Sequence, residues 1–180
     1  MIPVFVSFLF YQQFLLALAI FIVAGISDGL DGLLARRFHQ QSPLGRILDP
    51  IADKMMLVTS FIVLSMKGVY PTPIPKHLPI PFWVTITVLS RDVFILVGAA
   101  AINMVTGFRS FQPSLPGKIS TVIQIVSVAI VMLAAQLRVG TGYYLPTIYA
   151  LVFTFTLFSG IHYVFFVSRQ INKSTNSSAT

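Results

Sequence analysis

The stretch that decides the class of this chain is residues 27–54, SDGLDGLLARRFHQQSPLGRILDPIADK. It holds four of the five acidic residues, Asp28, Asp31, Asp49 and Asp53, within an otherwise mostly apolar sequence. A charged side chain in a membrane segment costs roughly 2.5–3.5 kcal/mol on insertion scales, so such residues persist only where partners or function offset that cost. Four acids this close together therefore predict a cation site.

The composition is typical of an integral membrane protein. Of the 180 residues, 56% are hydrophobic and 9% are charged, whereas a soluble domain has about 25% charged residues. The chain contains no cysteine, which excludes disulfides and thiolate metal sites. The net charge of +7 is scattered among apolar segments. We therefore expect the basic residues to orient loops and to contact lipid headgroups or phosphate-bearing substrates, and we expect no nucleic-acid partner.

Apolar runs separated by breakers predict the helices. About 20 residues cross the hydrocarbon core of a bilayer, and the candidate spans are residues 12–35, 47–66, 82–105, 119–137 and 144–167. Residues 70–81 contain five prolines and predict a loop. Residues 1–10 are apolar but too short to span, and we interpret them as the end of a truncated first helix.

The predicted fold is all-α, a polytopic membrane protein with about six transmembrane helices. Residues 1–168 would form the transmembrane domain. Residues 169–180 would form a polar tail that is disordered towards its end.

The basic residues outside the spans are distributed unevenly between the two sides of the predicted membrane. The side that holds the loop after residue 35 has seven of them: Arg36, Arg37, Arg46, Arg109, Lys118, Arg169 and Lys173. The opposite side has three: Lys67, Lys76 and Arg138. The positive-inside rule then places the acidic stretch at the cytoplasmic end of its two helices.

The spacing of the acids indicates how they could meet. Asp28 and Asp31 are three residues apart and Asp49 and Asp53 are four apart, so each pair shares one face of its helix. A turn over residues 37–44 would make the two helices antiparallel and bring the pairs together. Oxygen-only ligands favour Mg²⁺ or Mn²⁺, and two such ions would balance four carboxylates, as in two-metal phosphoryl chemistry. A single Asp near a helix end is commonly a cap or a solvated charge, but two same-face pairs are not explained that way.

These residues resemble a known family. The signature of the CDP-alcohol phosphatidyltransferases is D-x2-D-G-x2-A-R-x8-G-x3-D-x3-D, and this chain is similar to it at every fixed position. The matching residues are Asp28, Asp31, Gly32, Ala35, Arg36, Gly45, Asp49 and Asp53. Family members usually have a longer first helix, preceded by an amphipathic segment, and that part has no counterpart here.

The resemblance implies a reaction and roles for these residues. Asp28, Asp31, Asp49 and Asp53 would hold two divalent cations, Mg²⁺ or Mn²⁺, over the pyrophosphate of CDP-diacylglycerol. Asp53 would also be the general base for an acceptor hydroxyl, and CMP would leave. Gly32, Ala35 and Gly45 would line the nucleotide pocket, and Arg36 would contact a phosphate or the cytidine. The resemblance also implies a homodimer in the bacterial inner membrane, or in the mitochondrial inner membrane of a eukaryote, with the site on the cytoplasmic or matrix side.

Two basic residues bear on the acceptor. Arg91 lies in the middle of a predicted span and Lys118 opens another, which suits an acceptor that carries a phosphate, glycerol 3-phosphate or phosphatidylglycerol. The alternative for Arg91 is a structural pair with Asp92. The SRDV and KxxTxxQ stretches are more similar to cardiolipin synthases than to phosphatidylglycerophosphate synthases. Serine or inositol phosphate acceptors within the same family rank lower.

Three hypotheses of other kinds remain open at this point. A cation-coupled transporter would have acids dispersed along several helices, with broken helices near the middle of the membrane. A lipid phosphatase would release CMP from the CDP-lipid without an acceptor. A non-catalytic membrane scaffold would tolerate Asp53→Asn.

Overall fold

The structure is a computed structural model that describes residues 1–37, 45–106, 115–138 and 141–177. Side chains are described for residues 1–27, 54–98, 115–138 and 142–165, and for Leu30. In these ranges the elements are α1 (Ile2–Phe10), α2 (Phe14–Arg37), α3 (Gly45–Leu64), a 3-10 turn (Lys67–Val69), α4 (Phe82–Thr106), α5 (Leu115–Leu137) and α6 (Thr141–Ser177). The described residues form no strand, which confirms the all-α prediction.

Most predicted helices agree with the observed ones to within a few residues. α5 begins at Leu115 rather than at residue 119, because Pro116 is tolerated in the first turn of a helix, where its missing N–H has no intrahelical partner. α6 extends to Ser177, ten residues beyond the predicted membrane span 144–167 and into the predicted polar tail. No glycine or proline follows Gly160 to terminate that helix.

The N-terminal segment forms a short helix of nine residues, α1. Its Phe5 and Leu9 are fully buried, and the Phe5 ring lies 6.0 Å from the ring of Phe21 on α2. A turn at residues 11–13, with Gln12 at a φ of 60°, separates α1 from α2. The structure therefore contains a helix where we predicted one, and its being the end of a longer helix stays a prediction.

α6 packs against α4 and α5, and α5 also packs against α2 and α3. The core between these helices is apolar. Its fully buried members include Val128, Val131, Met132, Leu145 and Val152. α2 and α3 also pack against each other, so they lie side by side against α5.

The outer surface is strongly apolar. On α4, Phe94, Leu96 and Val97 are 68%, 66% and 60% exposed, and soluble monomers rarely expose large contiguous apolar patches. In the described residues two helical stretches, Leu115–Leu137 and Gly142–Phe165, are long and apolar enough to cross a membrane, and Phe14–Ser27 and Lys54–Leu64 are shorter apolar helices. The exposed apolar surface is what a lipid environment requires.

The proline-rich segment 70–81 is a loop, as predicted, and it closes one end of the bundle. The carbonyl of Leu64, the last residue of α3, accepts hydrogen bonds from the Tyr70 hydroxyl at 2.7 Å and from the Ile80 N–H at 3.0 Å. The Tyr149 hydroxyl of α6 donates to the His77 carbonyl at 2.9 Å. The end of α3 that carries the acids is therefore the opposite one.

Candidate active site

The structure places all four predicted acids on helices. Asp28 and Asp31 lie in the second half of α2, and Asp49 and Asp53 lie in the first half of α3. The two helices pack against each other. The predicted turn between them falls on residues 38–44, which lie outside the described part of the chain, as do the side chains of the four acids. Helix assignment thus agrees with the sequence analysis, and the ligand roles stay predictions.

The buried face of α2 can be followed to the first acid pair by helical register. Ala17, Phe21 and Ala24 are buried, and they are spaced four and three residues apart, as on one face of a helix. Position 28 follows Ala24 by four residues and Phe21 by seven. Position 31 follows Ala24 by seven. Both acids therefore occupy register positions of the inward face of α2.

The same holds for α3. Leu57, Ser60 and Leu64 are buried, and position 53 precedes them by four, seven and eleven residues, which is again the spacing of one face. Position 49 is one turn earlier. The opposite face of α3 is exposed, with Met55 at 54% and Ile62 at 38%. The two acid pairs thus continue the inward faces of two neighbouring helices.

For the other predicted site residues, the structure gives only their positions along the helices. Gly32, Ala35 and Arg36 lie on α2 after the acids, and Gly45 is the first residue of α3. Their side chains or surroundings lie outside the described residues. Their nucleotide-binding roles therefore stay predictions.

A network of charged and polar side chains links α3, α4 and α6 next to the acids; we call it the charge network. Its members are Lys54, Arg91, Asp92 and Ser159. Lys54 Nζ donates to Asp92 Oδ1 at 2.6 Å, and Arg91 Nη1 donates to the same oxygen at 2.7 Å. Arg91 Nη2 donates to Ser159 Oγ at 2.7 Å. Asp92, the fifth acidic residue of the chain, thus pairs with two basic side chains.

Burial explains why this network forms. The side chains of Arg91 and Asp92 are 6% and 11% exposed, and a buried charge is strongly unfavourable without a partner. The alternative interpretation of Arg91, a pair with Asp92, is therefore confirmed by the geometry. Arg91 Nε is buried and has no hydrogen-bond partner among the described residues. A contact of Arg91 with substrate remains a separate prediction.

A second polar contact lies between α5 and α6. Gln124 Nε2 donates to Thr156 Oγ1 at 3.2 Å and to Ser120 Oγ at 3.4 Å, and all three residues are 1% exposed. Thr156 is one turn before Ser159 on α6. Polar groups buried in a helical bundle need such partners, so these contacts fix the α5–α6 pair beside the charge network.

Among the described residues, the helices that carry Arg91 and Lys118 do not contact each other. Lys118 is exposed in the first turns of α5, and in the described residues α4 and α5 both pack on α6 but not on each other. A shared phosphate contact for the two residues therefore stays a prediction.

Sequence reasoning missed Lys54 and Ser159. Lys54 directly follows the signature, and an isolated lysine inside an apolar helix was a signal that could have been used. Ser159 gave no signal, because its contact with Arg91 spans 68 residues and depends on how α4 and α6 pack.

The chemistry of the predicted donor set fits a hard divalent cation. Four carboxylates without any thiolate match the oxygen ligands that Mg²⁺ and Mn²⁺ prefer. Among the residues whose side chains are described, no group of three His, Asp or Glu side chains comes together.

Comparison with known proteins supports the same interpretation. A profile of the CDP-alcohol phosphatidyltransferase family matches residues 1–167. The probable phosphatidylglycerophosphate synthase of Mycobacterium tuberculosis is 32% identical over 180 residues, covering 95% of this chain and 78% of the relative.

Two cardiolipin synthases (CMP-forming) are also similar. That of Streptomyces coelicolor is 33% identical over 105 residues, covering 58% of this chain and 44% of the relative. That of Homo sapiens is 26% identical over 163 residues, covering 82% of this chain and 51% of the relative. These relatives, with the two long apolar helices, indicate a membrane protein. The match over nearly all of the chain, together with the signature on two adjacent helices, shows that this protein is an enzyme of the CDP-alcohol phosphatidyltransferase family.

Proposed function

We propose that this enzyme transfers the phosphatidyl group of CDP-diacylglycerol to a glycerol-type acceptor and releases CMP. Transfer from CDP-diacylglycerol is consistent with the family and with the names of the relatives; the acceptor is the proposed part. The observation that carries the proposal is the register of the two acid pairs, which continue the inward faces of α2 and α3.

Divalent cations are used by this family. We propose that Asp28, Asp31, Asp49 and Asp53 hold two of them, either Mg²⁺ or Mn²⁺. When bound, the ions would supply positive charge that stabilises the phosphate oxygens of the substrate and of the departing CMP. The four Asp side chains are suited to binding these positive ions, because an ionised carboxylate offers two oxygen acceptors and no donor.

Asp53 is the proposed general base. Its carboxylate would accept the proton of the acceptor hydroxyl as the hydroxyl oxygen attacks the phosphorus bonded to diacylglycerol. The bond between that phosphorus and the oxygen of CMP breaks, and CMP leaves. General-base catalysis of this kind contributes about 10²–10⁴-fold to the rate, so positioning and charge stabilisation would supply the rest.

The remaining predicted residues would bind the substrates. Gly32, Ala35 and Gly45 have small or no side chains and would leave room for the nucleotide, and Arg36 would contact a phosphate or the cytidine. Arg91 and Lys118 would bind a phosphate of the acceptor. Arg91 Nε would be one such donor, since it is buried and has no hydrogen-bond partner among the described residues, whereas Nη1 and Nη2 each already use one N–H on Asp92 and Ser159.

Two acceptors are supported by different observations. The SRDV stretch at residues 90–93 and the KxxTxxQ stretch at residues 118–124 favour phosphatidylglycerol, which would give cardiolipin. The relative that covers 95% of this chain is a probable phosphatidylglycerophosphate synthase, which favours glycerol 3-phosphate. Both acceptors carry the phosphate that Arg91 and Lys118 would bind.

The proposal extends to the setting of the enzyme. We propose a homodimer in the bacterial inner membrane, or in the mitochondrial inner membrane, with the acids on the cytoplasmic or matrix side. The excess of basic residues on that side of the chain supports the orientation.

The test is an assay of the purified protein with CDP-diacylglycerol and Mg²⁺ or Mn²⁺, with each candidate acceptor supplied separately. CMP release and a new lipid should appear with phosphatidylglycerol or glycerol 3-phosphate, and the identity of the lipid decides between them. Asp53→Asn should abolish turnover in protein that still elutes and melts like the wild type. CMP release that needs no acceptor would mean a hydrolase, and activity that survives in Asp53→Asn would remove the base assignment.

A further inference from the structure

The residue after the proposed base is held in a directional contact. Lys54 Nζ donates to Asp92 Oδ1 of α4 at 2.6 Å. Successive residues of an α-helix are about 100° apart around its axis, so a contact that fixes the direction of Lys54 also fixes that of position 53. We infer that Lys54 and Asp92 are positioning residues, which set the rotation of α3 so that Asp53 keeps its inward register. This inference rests on the proposed function, in which Asp53 is base and ligand.

Asp92 is itself held from a second side. The same Oδ1 atom accepts a hydrogen bond from Arg91 Nη1 at 2.7 Å, and Arg91 Nη2 donates to Ser159 Oγ of α6 at 2.7 Å. Ser159 is 1% exposed. The carboxylate that accepts the Lys54 hydrogen bond is therefore linked through Arg91 to α6, and it can serve as a fixed reference for α3.

The far end of α3 has its own polar contact with α4. The hydroxyls of Ser65, just after α3, and Thr85 lie 2.6 Å apart, and both residues are buried. Lys54 and Ser65 are eleven residues apart, which is about 16 Å along a helix. Hydrogen bonds depend on direction, so these two separated polar contacts constrain the rotation of α3 in addition to its apolar packing. The Lys54–Asp92 pair does so at the end that carries the acids.

The pair is poorly suited to a role in stability alone. The Lys54 side chain is 42% exposed, and ion pairs with an exposed partner contribute little to the free energy of unfolding. The Lys54–Asp92 pair would therefore orient α3 more than it would stabilise the fold. A loss of activity with little loss of stability is the expected signature.

The experiment compares Lys54→Met and Lys54→Arg with the wild type and with Lys76→Met, a control in which an exposed lysine of the loop at the opposite end of the bundle is removed. For each purified protein we would measure kcat and KM for CDP-diacylglycerol and the melting temperature in detergent. In Lys54→Met kcat should fall on the order of 10- to 100-fold, as for a small misplacement of catalytic groups. Its KM and melting temperature should stay close to the wild-type values.

Lys54→Arg should recover most of the wild-type kcat, because a guanidinium can still pair with Asp92, and Lys76→Met should match the wild type. Asp92→Asn and the double variant Lys54→Met/Asp92→Asn complete a double-mutant cycle. The kcat of the double variant should be no lower than that of Asp92→Asn alone, because the effects of two residues that act as a pair are not additive. If Asp92→Asn does not fold because Arg91 loses its counter-charge, the Lys54 variants decide the question.

The inference is overturned if Lys54→Met retains the wild-type kcat, if it raises only KM, or if Lys54→Arg is no better than Lys54→Met. A failure of the proposed function is a different result: the wild type would release no CMP, or Asp53→Asn would remain active. Loss of activity in Asp53→Asn with full activity in Lys54→Met would instead retain the proposed function and reject the positioning role.

Discussion

Tyr70 combines two contacts that secure the closed end of the bundle. Its ring stacks on that of Phe14 with 5.6 Å between the ring centroids, and its hydroxyl donates to the carbonyl of Leu64 at 2.7 Å. Burial raises the pKa of Tyr70, with the neighbouring Tyr149 adding to the shift. The hydroxyl therefore stays protonated and remains a donor across the neutral and moderately alkaline range.

Tyr70→Phe should lower the free energy of unfolding by about 1 kcal/mol, since the ring contact is kept and one buried hydrogen bond is lost. The control is Tyr143→Phe, because Tyr143 is 91% exposed and its hydroxyl is open to solvent. Unfolding in mixed detergent micelles, followed by circular dichroism, measures both. Equal stabilities of the two variants would show that the hydrogen bond to Leu64 contributes nothing.

Individual residues differ in how far the sequence predicts them. The two acid pairs could be predicted because their spacing of three and four residues is a local pattern. Helix register then relates these positions to the buried residues of α2 and α3. The partner of Lys54 was not found, because Asp92 is 38 residues away. Their contact depends on the packing of α3 against α4, which no local pattern encodes.

Among the helices, α4 and α6 approach each other closely at Gly98 of α4. A Cβ atom at Gly98 would lie 2.7 Å from Cε1 of Tyr163 and 3.2 Å from its hydroxyl oxygen. The Tyr163 ring is 5% exposed, and its hydroxyl donates to the Ile95 carbonyl at 3.1 Å. The ring therefore has little freedom to move away, and small residues of this kind let membrane helices pack closely.

Gly98→Ala should destabilise the fold by about 1–3 kcal/mol, because the added methyl group forces the ring off its hydrogen bond. Gly25→Ala is the matched control within α2, since a Cβ atom there meets nothing within 4 Å. That variant should be neutral or more stable by about 0.5–1 kcal/mol, as alanine is the better helix former. A comparison of their melting temperatures tests the pair, and a Gly98→Ala protein that melts like Gly25→Ala would refute the close approach.

Helix boundaries show which part of an element the sequence determines. The proline-rich loop was predicted because its breakers are explicit, and it is observed at residues 70–81. α6 continues to Ser177, beyond the predicted span 144–167, because a change from apolar to polar residues marks the end of a span and not the end of a helix. A helix ends where a residue or a cap stops it, and leaving the hydrocarbon core does not by itself do so.

At the scale of the whole molecule, the apolar outer surface and the unequal distribution of basic residues together predict an orientation. Because the chain has no native cysteine, single cysteines can report it. In intact bacteria that express the protein, Lys76→Cys should react with a membrane-impermeant maleimide. Ser42→Cys should react only after the cells are permeabilised. The reverse pattern would place the acids on the outer side and contradict the positive-inside assignment.

The proposed cation site joins carboxylates of α2 and α3. The most direct measurement is Mn²⁺ binding by electron paramagnetic resonance, with CDP-diacylglycerol present and without turnover, in the wild type, Asp28→Asn and Asp49→Asn. We expect two Mn²⁺ per chain in the wild type, and weaker binding in both variants, each of which removes a carboxylate from one of the two helices. Wild-type protein that binds no Mn²⁺, or variants from either helix that bind it unchanged, would contradict the claim.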